Sequence, residues 1–349
     1  MKTSRTYAAI PPGETIKEQL ELRQMTQKEF AIRMNLSEKH ISHLINGLVE
    51  LTPDVAFRLE MVLGLPASFW NQLEATYREN LAKVDEENSI DSDIEIMEKI
   101  PYSELVRNGW IRPATSKFEK VITLRQYFEV TSLSIIDDQK INKIACRRKS
   151  DSEKSHYSLL AWAQQAKLVA RNRDVGKIDI RGLKEHIPEI RSMSKYTPDV
   201  FCGDLITLLS KYGISLVFLP HIGGSFLHGA TFVDGKKIVI GLTVRGKYAD
   251  IFWFSLFHEL GHILEGHVFQ EDGTTKSDED DADAFARDIL IPPSDYDHLR
   301  SIDCYSINEL LQEANRIGVD VGILIGRLHN EEIIPHNALN SYRTKYTIS

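Results

Sequence analysis

His258-Glu259-Leu260-Gly261-His262 is the stretch that decides how the second half of this chain folds and what it can bind. On an α-helix, side chains at positions i and i+4 share one face, with Cβ atoms about 5–6 Å apart. Both imidazoles can therefore bind one metal ion, and Glu259 lies one step around the helix beside them. The spacing predicts a zinc site with a carboxylate placed to act as a general base.

The residues before this motif predict that its helix is buried. Residues 250–257, Asp-Ile-Phe-Trp-Phe-Ser-Leu-Phe, are mostly apolar, and Asp250 can cap the first turn. We expect the helix to end near Gly266, because glycine commonly terminates helices. A buried helix holds metal ligands rigidly. The alternative is a chance match, with two structural histidines on a helix that faces the core.

A zinc hydrolase site needs a third protein ligand, and the acidic run that follows the motif offers one. Glu279 precedes an apolar helical pattern and is the first choice, followed by Asp281 and Asp280. Glu279 and Asp283 are spaced i, i+4, so one helix offers both a ligand and a carboxylate that orients His258 through its other ring nitrogen. A solvated helix N-terminus explains the same run without a metal, because acidic residues suit the helix dipole.

Composition is that of an ordinary globular protein. The chain has 349 residues, of which 42% are hydrophobic and 26% charged, and this length predicts two or three domains. A net charge of −8 gives no global basic field for nucleic acid. No apolar run approaches the length of a membrane span and no signal peptide is recognisable, so we expect a cytoplasmic protein. The three cysteines are widely spaced and are expected to be free thiols: Cys146, Cys202 and Cys304.

The first 80 residues carry a separate helical pattern. Thr26-Gln-Lys-Glu29 is a capping box that opens a short helix, Asn35-Leu36 makes a tight turn, and Ser37 caps the next helix. Pro53 begins a further helix. Two short helices joined by a tight turn predict a helix-turn-helix, whose second helix reads the major groove of DNA.

The exposed positions of this pattern are candidates for DNA contact. They are polar or basic residues that can reach phosphates and base edges: Gln27, Ser37, Lys39, His40, Ser42, His43 and Asn46. The alternative is a small helical bundle that binds protein or nothing. Residues 1–80 hold nine Lys and Arg against ten Asp and Glu. This balance gives the domain no net positive charge with which to attract DNA.

A string of small motifs over residues 8–82 resembles Xre-family helix-turn-helix domains of the HigA antitoxin branch. It includes Thr26-Gln-Lys-Glu-Phe-Ala31, Leu36-Ser-Glu-Lys-His-Ile-Ser42 and Thr52-Pro-Asp-Val-Ala-Phe-Arg-Leu-Glu60. The resemblance implies a homodimer that binds operator DNA through residues 37–46.

The middle of the chain, residues 85–184, contains no motif that predicts a function. Residues 85–93 are polar and acidic, which predicts a linker or an exposed helix start. Residues 140–184 hold twelve Lys and Arg against four Asp and Glu, and this basic belt includes Arg147-Arg148-Lys149. It can contact DNA or the acidic N-terminal domain, but a solvated helix surface is the simpler explanation.

Three apolar or β-branched runs predict strands in the second half, at residues 213–219, 229–233 and 237–243. Asp234-Gly235 between two of them is a hairpin signal. We expect a small, mainly antiparallel sheet whose edge either holds an extended peptide substrate or only supports the helix of the zinc motif.

Residues 140–340 resemble the ImmA/IrrE family of metallopeptidases. The resemblance rests on four stretches: Pro220-His-Ile-Gly-Gly224, Gly229-Ala-Thr-Phe232, Phe252 to His262 and Glu279 to Pro292. It implies that His258, His262 and Glu279 bind zinc, with Glu259 as catalytic base, and that the substrate is a repressor or related regulator. We expect the base to pass its proton to the leaving amine. The sequence does not assign an oxyanion donor, for which His228, His298 and His329 are candidates.

These patterns together predict an α+β protein in three parts. Residues 1–82 form an all-α helix-turn-helix domain, residues 83–139 a linker and helical middle region, and residues 140–349 a zincin-like domain with the sheet and the motif helix. Two functions follow from them. One is a DNA-binding regulator that is also a zinc endopeptidase. The other is an antitoxin-like repressor whose C-terminal domain binds a toxin-like partner or a ligand without proteolysis.

Overall fold

The protein folds as two compact units, Met1–Ile94 and Glu95–Ser349. A computed structural model describes residues 2–88, 90–137, 153–223, 228–243, 248–270, 274–302 and 305–346. Most of these residues are helical and two small sheets accompany the helices, so the α+β class predicted from the sequence is confirmed.

Short capped helices build the first unit. Its elements are β1 Lys2–Thr3, β2 Ala8–Ala9, α1 Pro12–Leu22, α2 Gln27–Met34, α3 Glu38–Ile45, α4 Pro53–Leu63 and α5 Ala67–Asn88. The side chains of Thr26 and Ser37 each accept a backbone N–H at the start of a helix, as predicted, and Thr52 does the same at the start of α4. The predicted capping box is only half present, because the Glu29 carboxylate accepts hydrogen bonds from Arg33 instead. The local sequence therefore sets where α2, α3 and α4 begin.

A close approach between α1 and α3 fixes the shape of the first unit. A Cβ atom at Gly13 would lie 1.8 Å from the carbonyl oxygen of Ile45, so only glycine fits there. The core beside this contact is apolar and fully buried at Phe30, Ile41 and Trp70. The end of α3 is consequently held in place by packing.

The acidic stretch at residues 85–93 is helical wherever the structure describes it. Helix α5 continues to Asn88 and so crosses the predicted boundary at residues 82 and 83, and α6 spans Asp91–Lys99. The two compact units divide inside α6. The other predicted boundary, at residues 139 and 140, lies outside the described residues.

The second unit combines a three-stranded sheet with many helices. Its further elements are α7 Tyr102–Arg107, α8 Lys117–Phe128, α9 Glu153–Arg171, α10 Ile180–Glu185, α11 Ile187–Ser192, α12 Pro198–Lys211, β3 Ile214–Phe218, β4 Gly229–Asp234, β5 Lys237–Leu242, α13 Ala249–Leu264, α14 Lys276–Leu290, α15 Pro293–Arg300, α16 Ile307–Ile317 and α17 Val321–Asn330.

The sheet has the strand order β3-β5-β4 and is mixed. Strands β4 and β5 pair antiparallel around the hairpin at Asp234, as predicted, but β3 pairs parallel to β5. The expectation of a mainly antiparallel sheet is therefore wrong for one of the two pairings. The reason is the strand order: β5 lies between β3 and β4, so these two consecutive strands are not neighbours, and β5 runs parallel to β3 and antiparallel to β4.

Helix α13 runs through the core of the second unit. Trp253, Phe257 and Leu260 are fully buried, and the Trp253 indole N–H donates to the Tyr346 hydroxyl at 3.0 Å. Asp250 stands in the first turn, where its carboxylate pairs with Arg343 at 2.6 Å. The helix ends two residues before Gly266, which has a left-handed φ of 80°. This buried frame gives the motif residues fixed positions.

Two sequence predictions fall partly or wholly on residues without a described structure. Arg147-Arg148-Lys149, Cys146 and Cys304 lie outside the described residues, whereas Cys202 is a free thiol, as predicted. In the described part of the basic belt, Arg171 forms a bidentate ion pair with Glu129, with N–O distances of 2.6 and 2.7 Å. Among the described residues, no helix is both long and apolar enough to cross a membrane.

Candidate metal centre and candidate nucleic-acid interface

Helix α13 brings the two motif histidines together on one buried face. His258 is 6% exposed and His262 is fully buried. Their Nε2 atoms are 3.1 Å apart and their rings meet edge to face, with centroids 4.7 Å apart. Both nitrogens therefore converge on one point, as the i, i+4 spacing predicts.

Glu279 of α14 faces the same point. Its carboxylate oxygens lie 3.4 Å from Nε2 of His258 and 3.5 Å from Nε2 of His262. The three candidate ligand atoms all lie within 4.8 Å of one another. Asp280 and Asp281, the alternatives for a third ligand, are exposed and lie outside this cluster.

The chemistry of this donor set fits zinc. Both oxygens of the Glu279 carboxylate are buried, and among the described residues neither has a hydrogen-bond partner. A buried carboxylate without hydrogen bonds is costly, and a cation at the point of convergence removes that cost. Two imidazoles and one carboxylate are ligands that zinc accepts in catalytic sites, where a further position stays open.

The close approach of α13 and α14 depends on Gly261. A Cβ atom at this position would lie 3.2 Å from Cα of Ala282 and 3.2 Å from Cδ1 of Phe285. Because such contacts are tighter than ordinary packing, a larger residue would push the helices apart. Gly261 therefore lets α14 place Glu279 against the two histidines.

Each histidine is held through its other ring nitrogen. Nδ1 of His258 lies 2.8 Å from the carboxylate of Asp283, as the spacing on α14 predicts. Nδ1 of His262 lies 3.1 Å from Nδ1 of His267, whose Nε2 is 3.4 Å from Asp278. Such partners fix the tautomer and orientation of a ligand. Sequence reasoning missed His267, and its position five residues after His262, just beyond Gly266, was the available signal.

Glu259 is almost fully buried beside this cluster. Thr231 of β4 donates a hydrogen bond from its hydroxyl to Oε2 of Glu259, a partner that the sequence analysis did not find. A Cβ atom at Gly229 would lie only 2.7 Å from Oε1, so glycine leaves room for the carboxylate. Burial raises the pKa of Glu259 to about 7, which suits a group that must both take and give a proton at neutral pH.

The charged groups of this cluster shift one another's pKa values. Burial opposes the charged imidazolium of His258, but the hydrogen bond to Asp283 and the nearby carboxylate of Glu279 outweigh it and raise the pKa of His258 to about 10. Burial and the neighbouring His258 lower the pKa of His262. Burial opposes ionisation of Glu279, yet the two histidines lower its pKa overall. The cluster thus holds an ionised carboxylate against one protonated imidazole.

A cavity of about 500 Å³ opens beside Glu259, and of the three oxyanion candidates only His228 lines it. His298 is instead an exposed side chain that faces Glu313 at 3.4 Å. His329 is buried and donates from Nε2 to the carbonyl oxygen of Ala338 at 2.8 Å. The contacts of His298 and His329 are therefore structural, and His228 is the candidate for the oxyanion donor that lines the cavity.

In the first unit, α2 and α3 form the predicted pair of short helices with a tight turn. Asn35 has a left-handed backbone, with φ 52°, and ends α2. Arg58 of α4 donates to the carbonyl oxygens of Met34 and Asn35 at 3.1 and 3.3 Å, which holds the turn against α4.

The predicted DNA contacts divide by exposure. Gln27, Ser37, Lys39 and Asn46 are exposed, whereas His40, Ser42 and His43 are half-buried. Two of these side chains already make hydrogen bonds within the domain: the Ser37 hydroxyl caps α3, and Asn46 donates to the Ser42 carbonyl oxygen at 2.8 Å. Lys39 and His43 stand one helical turn apart on α3 and remain candidates for DNA contact.

Comparisons with known proteins identify the first unit. A family described as Helix-turn-helix matches residues 16–70. The uncharacterised HTH-type transcriptional regulator YddM of Escherichia coli (strain K12) is 33% identical over 63 residues, which are 18% of this chain and 67% of that protein. The chain therefore belongs to the helix-turn-helix family of DNA-binding transcriptional regulators.

A solved structure is also similar in sequence. It is an addiction module antidote protein of the HigA family from Coxiella burnetii, which is 27% identical. The matched part covers 24% of this chain and 94% of that one, with a TM-score of 0.22.

Proposed function

We propose that this protein is a DNA-binding regulator whose second unit is a zinc-dependent endopeptidase. One observation carries the proposal: the buried nitrogens of His258 and His262 and the carboxylate of Glu279 converge on one point, with Glu259 beside them. The resemblance of residues 140–340 to the ImmA/IrrE family points to the same activity and to a repressor or related regulator as substrate.

The chain's own residues supply the proton transfers of peptide hydrolysis. Zinc held by His258, His262 and Glu279 would polarise the scissile carbonyl as a Lewis acid. Glu259 takes one proton from the attacking water as the new C–O bond forms. It then gives that proton to the leaving amine nitrogen as the C–N bond breaks. Thr231 holds the carboxylate in position through its hydroxyl.

The first unit would bring this activity to DNA. Operator binding through α3 would place the second unit near proteins that act at the same promoter. Binding as a homodimer would require operator half-sites about 34–36 Å apart, one turn of the double helix. A regulator bound nearby is then the expected substrate.

The experiment that tests the proposal compares two carboxylates of the second unit. The zinc-loaded protein is incubated with purified helix-turn-helix regulators, including the chain itself, and fragments are identified by mass spectrometry. Glu259→Gln should retain zinc, fold and DNA binding but cleave at least about 100-fold more slowly, because only the base is lost. Glu313→Gln, which changes a carboxylate paired with Arg316 outside the cluster, should cleave like the parent.

Two results contradict the proposal. If Glu259→Gln cleaves as fast as the parent, the base is misassigned. If the parent binds zinc but cleaves none of the regulators, the second unit is better explained as a module that binds a toxin-like partner or a ligand, in the manner of an antitoxin-like repressor.

A further inference from the structure

The cavity beside the candidate catalytic groups has a particular charge pattern. His258 and Glu259 line it together with two arginines, Arg287 of α14 and Arg327 of α17. Its remaining lining is partly apolar and includes Phe254, Leu290 and Ile323. A volume of about 500 Å³ is enough for a substrate side chain and its neighbours.

Arg327 is the unusual group in this lining. Its side chain is 15% exposed, its guanidinium packs over the Tyr296 ring at 4.4 Å, and it pairs with Glu331. Its closest approach to the Glu331 carboxylate is through Nε, so the ion pair uses this edge of the guanidinium. Burial, and after it repulsion from Arg287, lower the pKa of Arg327, although a guanidinium stays protonated at neutral pH. The cavity wall therefore keeps a positively charged group, and Glu331 is the carboxylate paired with it.

The carboxylates that line the cavity are mostly engaged elsewhere. Asp250 pairs with Arg343, and Asp283 holds His258. Glu259 accepts the hydrogen bond from Thr231. Glu331 is the lining carboxylate paired with Arg327, and both Glu331 and Asp283 favour the charged form of Arg287. Arg287 also pairs with Asp288, but that contact is on the exposed side of α14, where solvent weakens it.

We propose that this cavity binds a substrate side chain that ends in a carboxylate, next to the scissile peptide bond. This inference rests on the proposed function. A glutamate side chain fits the lining best, because its methylene groups can contact the apolar residues while its carboxylate meets the guanidiniums. Arginine suits this role, because its planar fork binds both oxygens of a carboxylate.

The test uses two small probes and the zinc-loaded full chain. The probes are the α-hydroxamates of N-acetylglutamate and N-acetylglutamine, which have the same shape and differ by one charge. Calorimetry measures the binding of each probe, so no peptide cleavage is needed. The parent should bind the glutamate probe about tenfold tighter, since hydrogen bonds to charged groups are the stronger ones.

Variants of the lining should change this ratio in opposite directions. Arg327→Gln should bring it close to one, and Glu331→Gln should raise it because a competing carboxylate is removed. Arg316→Gln, which removes an arginine of α16 that does not line the cavity, should leave it unchanged. If Arg327→Gln does not fold, Arg287→Gln provides the same test with a more exposed side chain, and a lower ratio is expected.

Two outcomes overturn the inference and separate it from the proposed function. If the parent binds both probes with equal affinity, the cavity does not select a carboxylate, while the zinc site stands. If the parent binds neither probe, the accessible zinc site itself is wrong, and the inference fails with it.

Discussion

Replacing Gly261 by alanine tests whether the spacing of α13 and α14 sets metal affinity. The new Cβ would lie 3.2 Å from Cα of Ala282, a few tenths of an ångström closer than ordinary contact. Ligand distances tolerate only about 0.2 Å, so a shift of this size moves Glu279 out of range. Zinc affinity should fall about tenfold, or about 1.4 kcal/mol.

The same change has two opposing effects on the stability of the fold. Alanine gains up to about 1 kcal/mol over glycine inside a helix, which offsets part of an overpacking cost of about 1–3 kcal/mol. Gly203 on α12 is a matched control, because a Cβ there meets nothing within 4 Å. Gly203→Ala should stabilise the protein by roughly 0.5–1 kcal/mol and leave zinc affinity unchanged.

The assay is competition for zinc with a chromophoric chelator, run beside urea denaturation of all three proteins. A Gly261→Ala protein that binds zinc as tightly as the parent would refute the reasoning. A loss of affinity in Gly203→Ala as well would refute it too, because the effect would then not depend on the helix contact.

Three further predictions address single residues. His262→Ala should reduce zinc from about one ion per chain to a small fraction, measured by elemental analysis; an unchanged content would exclude His262 as a ligand. His267→Leu should weaken zinc binding by about 10–100-fold, because the ring of His262 loses the partner that orients it. His329→Leu is the control: this buried histidine contacts the Ala338 carbonyl oxygen and not the cluster, so zinc binding should not change. Replacing Lys39 and His43 by alanine should weaken operator binding in a mobility-shift assay while zinc content stays constant; equal binding would exclude α3 as the reading helix.

The helix-turn-helix was predictable because each of its signals is local. Thr26 and Ser37 accept backbone N–H groups at the start of a helix, and Asn35 ends one with a left-handed backbone. All of these contacts lie within four residues, so the local sequence predicts where the helices begin and end. The i, i+4 spacing of the two motif histidines is local in the same sense. Glu279 was harder to assign, yet the apolar pattern after it indicated which helix carries it.

Contacts between distant segments were not predictable in this way. Thr231 and Glu259 are 28 residues apart, and nothing in either segment indicates that they meet. The parallel pairing of β3 was missed for a related reason, since apolar runs specify strands but not which strand lies between two others. Arg327 belongs to a helix near the end of the chain, and only the fold brings it to the cavity of Glu259.

The convergence of Glu279 with the two motif histidines makes the stability of the second unit depend on metal supply. An ion bound there would join α13 to α14 and be absent from the unfolded chain, so it would stabilise the fold by mass action. At a free concentration one hundred times the dissociation constant, this linkage amounts to about 2.7 kcal/mol. The three described ligands of this cluster all belong to the second unit. Chelation should therefore lower the melting temperature of the second unit and leave that of the helix-turn-helix unit where it was.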